Sequence, residues 1–158
     1  TLRNIRDTGE FVVNIPSISL VEAIVLTARH YPPEVDELLE AGLRSRTSKT
    51  VRPPGIEGCL AWIECTLYRQ YIEKEYVLLI GRVQHLEMDD RFLDEQEGLD
   101  PARAEPLMVL LNRGGMRFVT VRDTGRFASY GSMFPDGHDP LEHLYTEAKP
   151  VKEEGDRP

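Results

Sequence analysis

The chain has 158 residues, of which 41% are hydrophobic and 29% are charged, and its formal net charge is −8. This composition suits one globular domain, lacks the run of roughly 18 apolar residues that a membrane helix needs, and disfavours nucleic acid as a partner. The only cysteines are Cys59 and Cys65, whose number and spacing fit reduced thiols in a cytoplasmic protein rather than a zinc site or a disulfide.

Short helices flank the first predicted strand. Thr1 can cap a helix over residues 1–6, and Gly9 can end it. Residues Glu10–Ile15 are rich in β-branched and aromatic side chains, which predicts a strand. Apolar residues at helical spacing predict a second helix over 20–29, and two prolines precede a third helix over 34–41.

Residues 43–56, here called the cationic loop, carry an unusual charge pattern for an acidic chain. Four cations lie within nine residues, and no acidic residue interrupts the loop: the cations are Arg44, Arg46, Lys49 and Arg52. Concentrated positive charge on a loop can hold a phosphate or another anion. A solubilising loop, or one that pairs with the acidic residues at 34–40, explains the pattern equally well.

Strand patterns dominate the middle of the chain. Over residues 59–69 the side chains alternate between two faces, with Trp62, Glu64 and Thr66 on one and Ile63 and Cys65 on the other, and residues 76–87 follow after a charged turn, which predicts a long β-hairpin. Residues 105–111 are apolar but too few to assign to a helix or a strand, and 117–121 predict a short strand. Helices come first and strands later, without the alternation of a doubly wound sheet, so we predict a mainly β barrel with peripheral helices.

His85 is the one histidine placed within a predicted strand. Alternation assigns it to the face of Val77, Leu79 and Val83, near the end of the strand. Such a histidine either hydrogen-bonds at the barrel rim or donates to a cofactor ring or phosphate. The sequence has no metal-ligand spacing, nucleophile elbow, dinucleotide fingerprint or P-loop, so the residues alone do not identify a reaction.

Four segments, in this order and spacing, resemble the flavin reductase-like family of FMN-binding split-barrel proteins. They are TLRNIRDTGEFVVNIPS (1–17), GLRSRTSKTVRPPGIEGCLAWIEC (42–65), LLIGRVQHLEMDD (78–90) and EPLMVLLNRGGMRF (105–118). The chain departs from the family pattern where Arg82 replaces a usual Glu, where Phe118 replaces a usual Tyr, and where Arg113 directly precedes Gly114. The family's first strands would precede Thr1, so we expect this chain to lack them.

The resemblance implies a split β-barrel domain over residues 1–134 that forms a homodimer with FMN at the subunit interface. Residues 135–158 would form a C-terminal extension with a short helix over 141–148 and a partly disordered tail. Motif by motif, the implied cofactor-binding residues are Thr1, Ser48, Lys49, Arg52, His85, Arg113 and Phe118. Thr1 would contact the phosphate, Lys49 would lie beside the phosphate or ribityl chain, and His85 would lie near the flavin.

The resemblance further implies an NAD(P)H:flavin oxidoreductase, in which hydride passes from nicotinamide C4 to flavin N5. The cofactor carries that chemistry, so no catalytic side chain is expected. Two alternatives remain open on the sequence. One is a flavin-binding electron carrier without reductase activity, and the other is a degenerate member of the family that acts only as a binding module.

Overall fold

The computed structural model describes residues 1–126 except residue 96, together with residues 132, 134 and 136–138. Residues Thr1–Asp123 form one compact unit, and those from Thr124 onward belong to a second. Apart from residues 136–138, the predicted C-terminal extension lies outside the described residues, as does the predicted helix over 141–148. None of the described helices is long and apolar enough to cross a membrane.

Strands account for most of the regular structure in the described residues, which confirms the prediction of a mainly β fold. The strands are β1 Glu10–Ile15, β2 Ser45–Arg46, β3 Gly55–Ile56, β4 Ala61–Ile72, β5 Val77–Met88, β6 Leu107–Asn112 and β7 Gly115–Thr120. The α-helices are α1 Leu2–Thr8, α2 Val21–Thr27, α3 Glu37–Glu40 and α4 Pro101–Ala104. Single 3₁₀ turns lie at Ile18–Leu20 and Asp90–Phe92.

The central sheet has the order β1-β4-β5, and both pairings are antiparallel. The predicted hairpin is confirmed, because β4 and β5 pair from Ala61 with Met88 to Ile72 with Val77. The pairing shifts register twice, so Tyr68 is an extra residue in β4 and Gln84 an extra residue in β5. Such bulges reverse the inward and outward alternation of a strand, which matters for His85 below.

The N-terminal helices lie where the sequence predicted them, but their lengths differ from the prediction. Gly9 ends α1 in the left-handed conformation with φ of 69°, as a glycine readily does. The third helix is shorter than predicted, because Asp36 rather than the preceding prolines caps it. Its Oδ1 accepts hydrogen bonds from the backbone N–H groups of Leu38 at 2.9 Å and Leu39 at 3.3 Å.

The segment that the sequence left unassigned is strand β6, which pairs with β7 in a second hairpin. Backbone hydrogen bonds fasten the start of this hairpin to the chain just after β1. Ile18 N–H donates to the Glu105 carbonyl at 2.8 Å, and Leu107 N–H donates to the Pro16 carbonyl at 3.0 Å. The hairpin leaves large apolar side chains exposed: Met108, Val109, Leu110, Leu111 and Met116.

The buried core lies where β4 begins and the cationic loop crosses it. Its buried hydrophobic members are Ile5, Val51, Cys59, Leu60, Trp62, Cys65 and Ala104. Leu60 joins three segments, since its N–H donates to the Ile15 carbonyl and its own carbonyl accepts from Asp89 N–H. Burial raises the pKa of the Cys59 thiol to about 11, so this cysteine is an unreactive core residue.

Candidate functional site

A buried carboxylate on β4 holds the cationic loop against the sheet. Glu64 is only 3% exposed, although it carries a charge. Its Oε1 accepts a hydrogen bond from Lys49 N–H at 2.8 Å, and its Oε2 accepts from Thr50 N–H and Thr50 Oγ1, both at 2.6 Å. Burial alone would raise the pKa of Glu64, but these hydrogen bonds lower it overall, so the carboxylate stays ionised.

A second carboxylate, on β1, holds the other end of the same loop. Glu10 Oε2 accepts hydrogen bonds from Arg52 N–H at 3.0 Å and Arg52 Nε at 2.9 Å. Arg52 Nη2 also donates to the Thr8 carbonyl at 2.8 Å. Hydrogen bonds from the backbone and the side chain of Arg52 lower the pKa of Glu10. Ser48 Oγ donates to the Pro53 carbonyl, so this hydrogen bond closes the part of the loop that carries both anchors.

Two cations of the loop converge on Glu87, near the end of β5. Lys49 Nζ lies 2.9 Å from Glu87 Oε2, and Arg46 Nη2 lies 3.0 Å from Glu87 Oε1. Hydrogen bonds from Lys49 and then Arg46 lower the pKa of Glu87 from 4.5 to about 2. The Arg46 guanidinium also stacks over the Trp62 ring, 3.8 Å from its centroid. The cluster therefore holds two positive charges against one carboxylate.

A bulge in β5 places His85 on the face of the sheet that the loop covers. Cys65 of β4 pairs with Val83, but the adjacent Glu64 pairs with His85, so Gln84 is extra. Successive residues of a strand point to opposite faces, so His85 shares the face of Glu64 and lies opposite Val83. The prediction that His85 shares a face with Val83 is therefore wrong, because strict alternation makes no allowance for a bulge.

The imidazole of His85 lies beside the Glu87 cluster. Its Nε2 atom is buried and lies 3.6 Å from Glu87 Oε2, beyond hydrogen-bond distance. Within the described residues this nitrogen has no hydrogen-bond partner. A buried ring nitrogen without a partner is unusual in a folded protein.

Two open clefts flank the cationic loop, and they differ in character. The charged cleft, about 1040 Å³, is lined around Trp62 by equal numbers of cations and carboxylates: Arg44, Arg46, Lys49 and Arg91, with Glu57, Glu87, Asp89 and Asp90. The apolar cleft, about 960 Å³, is lined largely by apolar side chains, including Ile5, Phe11, Val13, Leu38, Pro53 and Ile56. Thr1 and Arg52 also line the apolar cleft, so the two loop cations Lys49 and Arg52 face different spaces.

The structure thus separates the predicted site residues into groups. Lys49 and His85 meet at Glu87, while Thr1 and Arg52 lie at the apolar cleft. Arg113 lies in the exposed turn between β6 and β7. Phe118 is part of β7, where it pairs with Val109, and Ser48 lies in the loop just before Lys49. The binding roles of all seven residues stay predictions.

Sequence reasoning missed Glu64 and Glu87, which organise the site. Both looked like the polar half of an alternating strand. A signal was nevertheless present, because Glu64 is a single acidic residue between Ile63 and Cys65 in a strand that is otherwise apolar at that point. A charge in a buried strand requires compensating partners, and the cationic loop is the nearest source in the sequence.

The model of the flavin reductase like domain matches residues 1–120. The chain belongs to this family. The match covers β1 to β7 and both clefts, and it supports a flavin-related oxidoreductase function. Family membership also agrees with the four sequence segments that suggested it.

Sequence relatives extend the family across archaea and bacteria. An uncharacterised protein of Methanothermobacter thermautotrophicus is 45% identical over 150 residues, covering 92% of this chain and 71% of the relative. The uncharacterised protein YwrF of Bacillus subtilis is 34% identical over 104 residues, covering 62% of this chain and 51% of YwrF. The chain thus spans only part of the length of these relatives.

Solved structures confirm the split-barrel fold. Nitrilotriacetate monooxygenase component B from Bacillus cereus superposes with a TM-score of 0.68 at 26% identity, covering 80% of this chain and 63% of that protein. Flavoredoxin of Desulfovibrio vulgaris (Miyazaki F) superposes with a TM-score of 0.68 at 21% identity, covering 87% of this chain and 69% of flavoredoxin. A putative flavin reductase with a split barrel domain from Shewanella frigidimarina gives a TM-score of 0.69 at 17% identity.

Proposed function

We propose that this chain forms the FMN-binding part of an oxidoreductase that takes reducing equivalents from NADH or NADPH. Family membership supports a flavin as the cofactor, and the charged cleft supports the phosphorylated form. The observation that carries the choice of FMN is the pair of cations, Arg46 and Lys49, that share the single carboxylate of Glu87. Lys49 and Arg46 are charge-assisted hydrogen-bond donors of the kind that bind a phosphate group, which carries close to two negative charges near neutral pH.

The residues present fit a bound flavin in two further respects. The Nε2 atom of His85, which has no partner among the described residues, lies beside Glu87, so the histidine is next to the two cations proposed to bind the phosphate. The Lys49 side chain is about half exposed, so its ammonium group can reach a phosphate while it keeps its contact with Glu87. The stacked Arg46 is held in place by Trp62 and offers a fixed second donor.

Bound FMN would supply the chemistry of accepting a hydride from the nicotinamide. The residues of the chain would then bind the cofactor, orient it and shield it from water. Lys49 and Arg46 would hold the phosphate, His85 would donate or accept one hydrogen bond at a polar atom of the cofactor, and the loop anchored by Glu64 would limit the access of water. No side chain needs to act as an acid or a base in this scheme.

We also propose that the working form is a homodimer, as the family resemblance implies. Trp62 is a core residue, but Tyr68, Tyr71 and Ile72 are exposed on β4, and Leu78 is exposed on β5, where it pairs with Tyr71. Aromatic and aliphatic side chains of this kind are typical of buried interfaces. Light scattering across a dilution series, with and without FMN, tests the proposal. A stable monomer at micromolar concentration that binds one FMN would contradict it.

The proposed activity is tested with two spectroscopic measurements. The protein is titrated with FMN, and the flavin absorbance and fluorescence report binding. The loaded protein is then mixed with NADH or NADPH without oxygen, and we expect the yellow colour to bleach. Binding without bleaching would instead support an electron carrier that is reduced by another protein. If the protein binds neither FMN nor riboflavin, the remaining alternative is a family member that acts only as a binding module.

A further inference from the structure

The cationic loop does not hold its own shape by contacts among its side chains alone. Its backbone N–H groups at Lys49 and Thr50 both point at one carboxylate of the central sheet, Glu64. The Thr50 hydroxyl adds a third hydrogen bond to the same carboxylate, at 2.6 Å. Three donors on two adjacent residues therefore converge on a single buried anion.

This anchor determines where the Lys49 side chain goes. Once its backbone N–H is fixed to Glu64, Lys49 reaches Glu87, which lies on the same face of the sheet two residues beyond the partner of Glu64. Ionised Glu64 accepts all three hydrogen bonds, whereas a glutamine there would turn an N–H₂ group toward at least one N–H donor. The observed conformation of the loop therefore requires an ionised carboxylate at position 64.

We propose that Glu64 is the positioning residue that aims Lys49 at the anionic group of the ligand in the charged cleft. The inference rests on the proposed function, because it assumes that Lys49 contacts a phosphate there. Glu64 itself touches no ligand, since it is buried beneath the loop. It acts through Lys49, and fixing the loop before the ligand arrives removes part of the ordering cost of binding.

The test compares Glu64→Gln with Lys49→Ala and with the double variant. Dissociation constants are measured for FMN and for riboflavin, which lacks the phosphate. We expect Glu64→Gln to weaken FMN binding by about tenfold or more and riboflavin binding by less than about twofold, the usual scale for a charge-assisted hydrogen bond. The double variant should bind FMN no more weakly than Lys49→Ala alone, because both changes remove the same contact.

Two controls separate positioning from general damage to the fold. Glu75→Gln, in the exposed turn between β4 and β5, should bind both ligands like the wild type. Thr50→Val removes only the hydroxyl contact and keeps the shape of the side chain, so it should weaken FMN binding selectively by about threefold. If Glu64→Gln fails to fold, the FMN affinity of Thr50→Val becomes the deciding measurement. A wild-type affinity in Thr50→Val would overturn the inference.

Other outcomes are equally decisive. Equal losses for FMN and riboflavin in Glu64→Gln, or losses that multiply in the double variant, would overturn the positioning role. Amide hydrogen exchange at Lys49 and Thr50 tests the anchor without any flavin, and we expect exchange to be about tenfold faster in Glu64→Gln. Unchanged exchange would overturn the inference, whereas a wild-type chain that binds no FMN would remove the proposed function.

Discussion

The two ends of the β4–β5 hairpin differ in which side chains they bury. At the near end, residues 61–65 and 85–88 lie beneath the cationic loop, and Trp62 and Glu64 are almost completely buried. At the far end, over residues 69–72 and 77–80, Tyr71 and Leu78 are about half exposed. The near end buries charges with partners, and the far end exposes apolar side chains.

This difference shows that the covering segment, and not the strand pattern, decides what becomes buried. Both ends include apolar runs, at residues 61–63 and at residues 77–80, yet only the end beneath the loop buries a carboxylate. The loop supplies backbone N–H groups and cations, so the charge is compensated. The homodimer proposal assigns the exposed apolar side chains of the far end to contacts with a second copy of the chain.

The largest expected difference between the two ends concerns a single leucine at each. Leu60→Ala removes a side chain that is 2% exposed, and it should lower the free energy of unfolding by about 2–5 kcal/mol. Leu78→Ala removes one that is 52% exposed, and in a dilute sample it should cost no more than about 0.5 kcal/mol. Urea unfolding measures both.

The same pair of variants also tests whether the far end of the hairpin lies in a subunit interface. A cost for Leu78→Ala that grows with protein concentration would assign this side chain to a subunit interface. The cost of Leu60→Ala should exceed that of Leu78→Ala at every concentration. Equal costs in dilute samples would contradict the contrast between the ends, because they would mean that the far end is as well packed as the near end.

Acid should act on the near end through Glu87. Its pKa is lowered from 4.5 in the unfolded chain to about 2 in the folded protein, so its contribution to stability is complete above about pH 4.5 and is lost as the pH falls toward about 2. Glu87→Gln should reduce the free energy of unfolding by about 1–2 kcal/mol at neutral pH, and by less at low pH. Denaturant unfolding at a series of pH values measures this.

The matched control for this change is Glu75→Gln at the far end, since Glu75 makes no ion pair within the described residues. It should keep the pH dependence of the wild type. A Glu87→Gln variant that loses stability in acid as steeply as the wild type would show that the contacts of Glu87 with Lys49 and Arg46 do not stabilise the fold.

The smallest expected effect concerns two arginines that lie over aromatic rings, one at the near end and one in the middle of the hairpin. Arg46 lies 3.8 Å above the Trp62 ring, whereas Arg82 lies 5.1 Å from the Tyr68 ring, which is itself exposed. Arg46→Lys keeps the charge but loses the flat stacking group, and it should cost about 0.5–1 kcal/mol. Arg82→Lys should change the free energy of unfolding by less than about 0.3 kcal/mol. A larger cost for Arg82→Lys would reverse the comparison.

The sequence predicted those parts of the fold that local pattern controls. Strand β1 was predicted with its observed bounds, Gly9 was identified as the end of α1, and the β4–β5 hairpin was located to within a few residues. Strand β6 could not be assigned, because a short apolar run has no periodicity of its own. It is a strand because β7 pairs with it and the chain after β1 fastens its start.

The candidate site was less predictable, because it depends on tertiary contacts and on one extra residue. The cationic loop was recognised, but its function as a segment fastened by Glu64 and Glu10 requires the loop and the sheet to be placed together. The bulge at Gln84 moves His85 to the other face of the sheet, and no local sequence pattern predicts this bulge. Likewise, Lys49 and Arg52 are three residues apart in sequence but line different clefts.

The central claim is that the charged cleft holds the phosphate of FMN through Lys49. The most direct measurement is the affinity of Lys49→Ala and Arg52→Ala for FMN and for riboflavin, each compared with the wild type. The account predicts that Lys49→Ala weakens FMN binding by about 1–3 kcal/mol, hardly changes riboflavin binding, and exceeds Arg52→Ala in this selectivity. Equal losses for both ligands in Lys49→Ala would contradict the claim, and an FMN-specific loss in Arg52→Ala alone would place the phosphate in the apolar cleft instead.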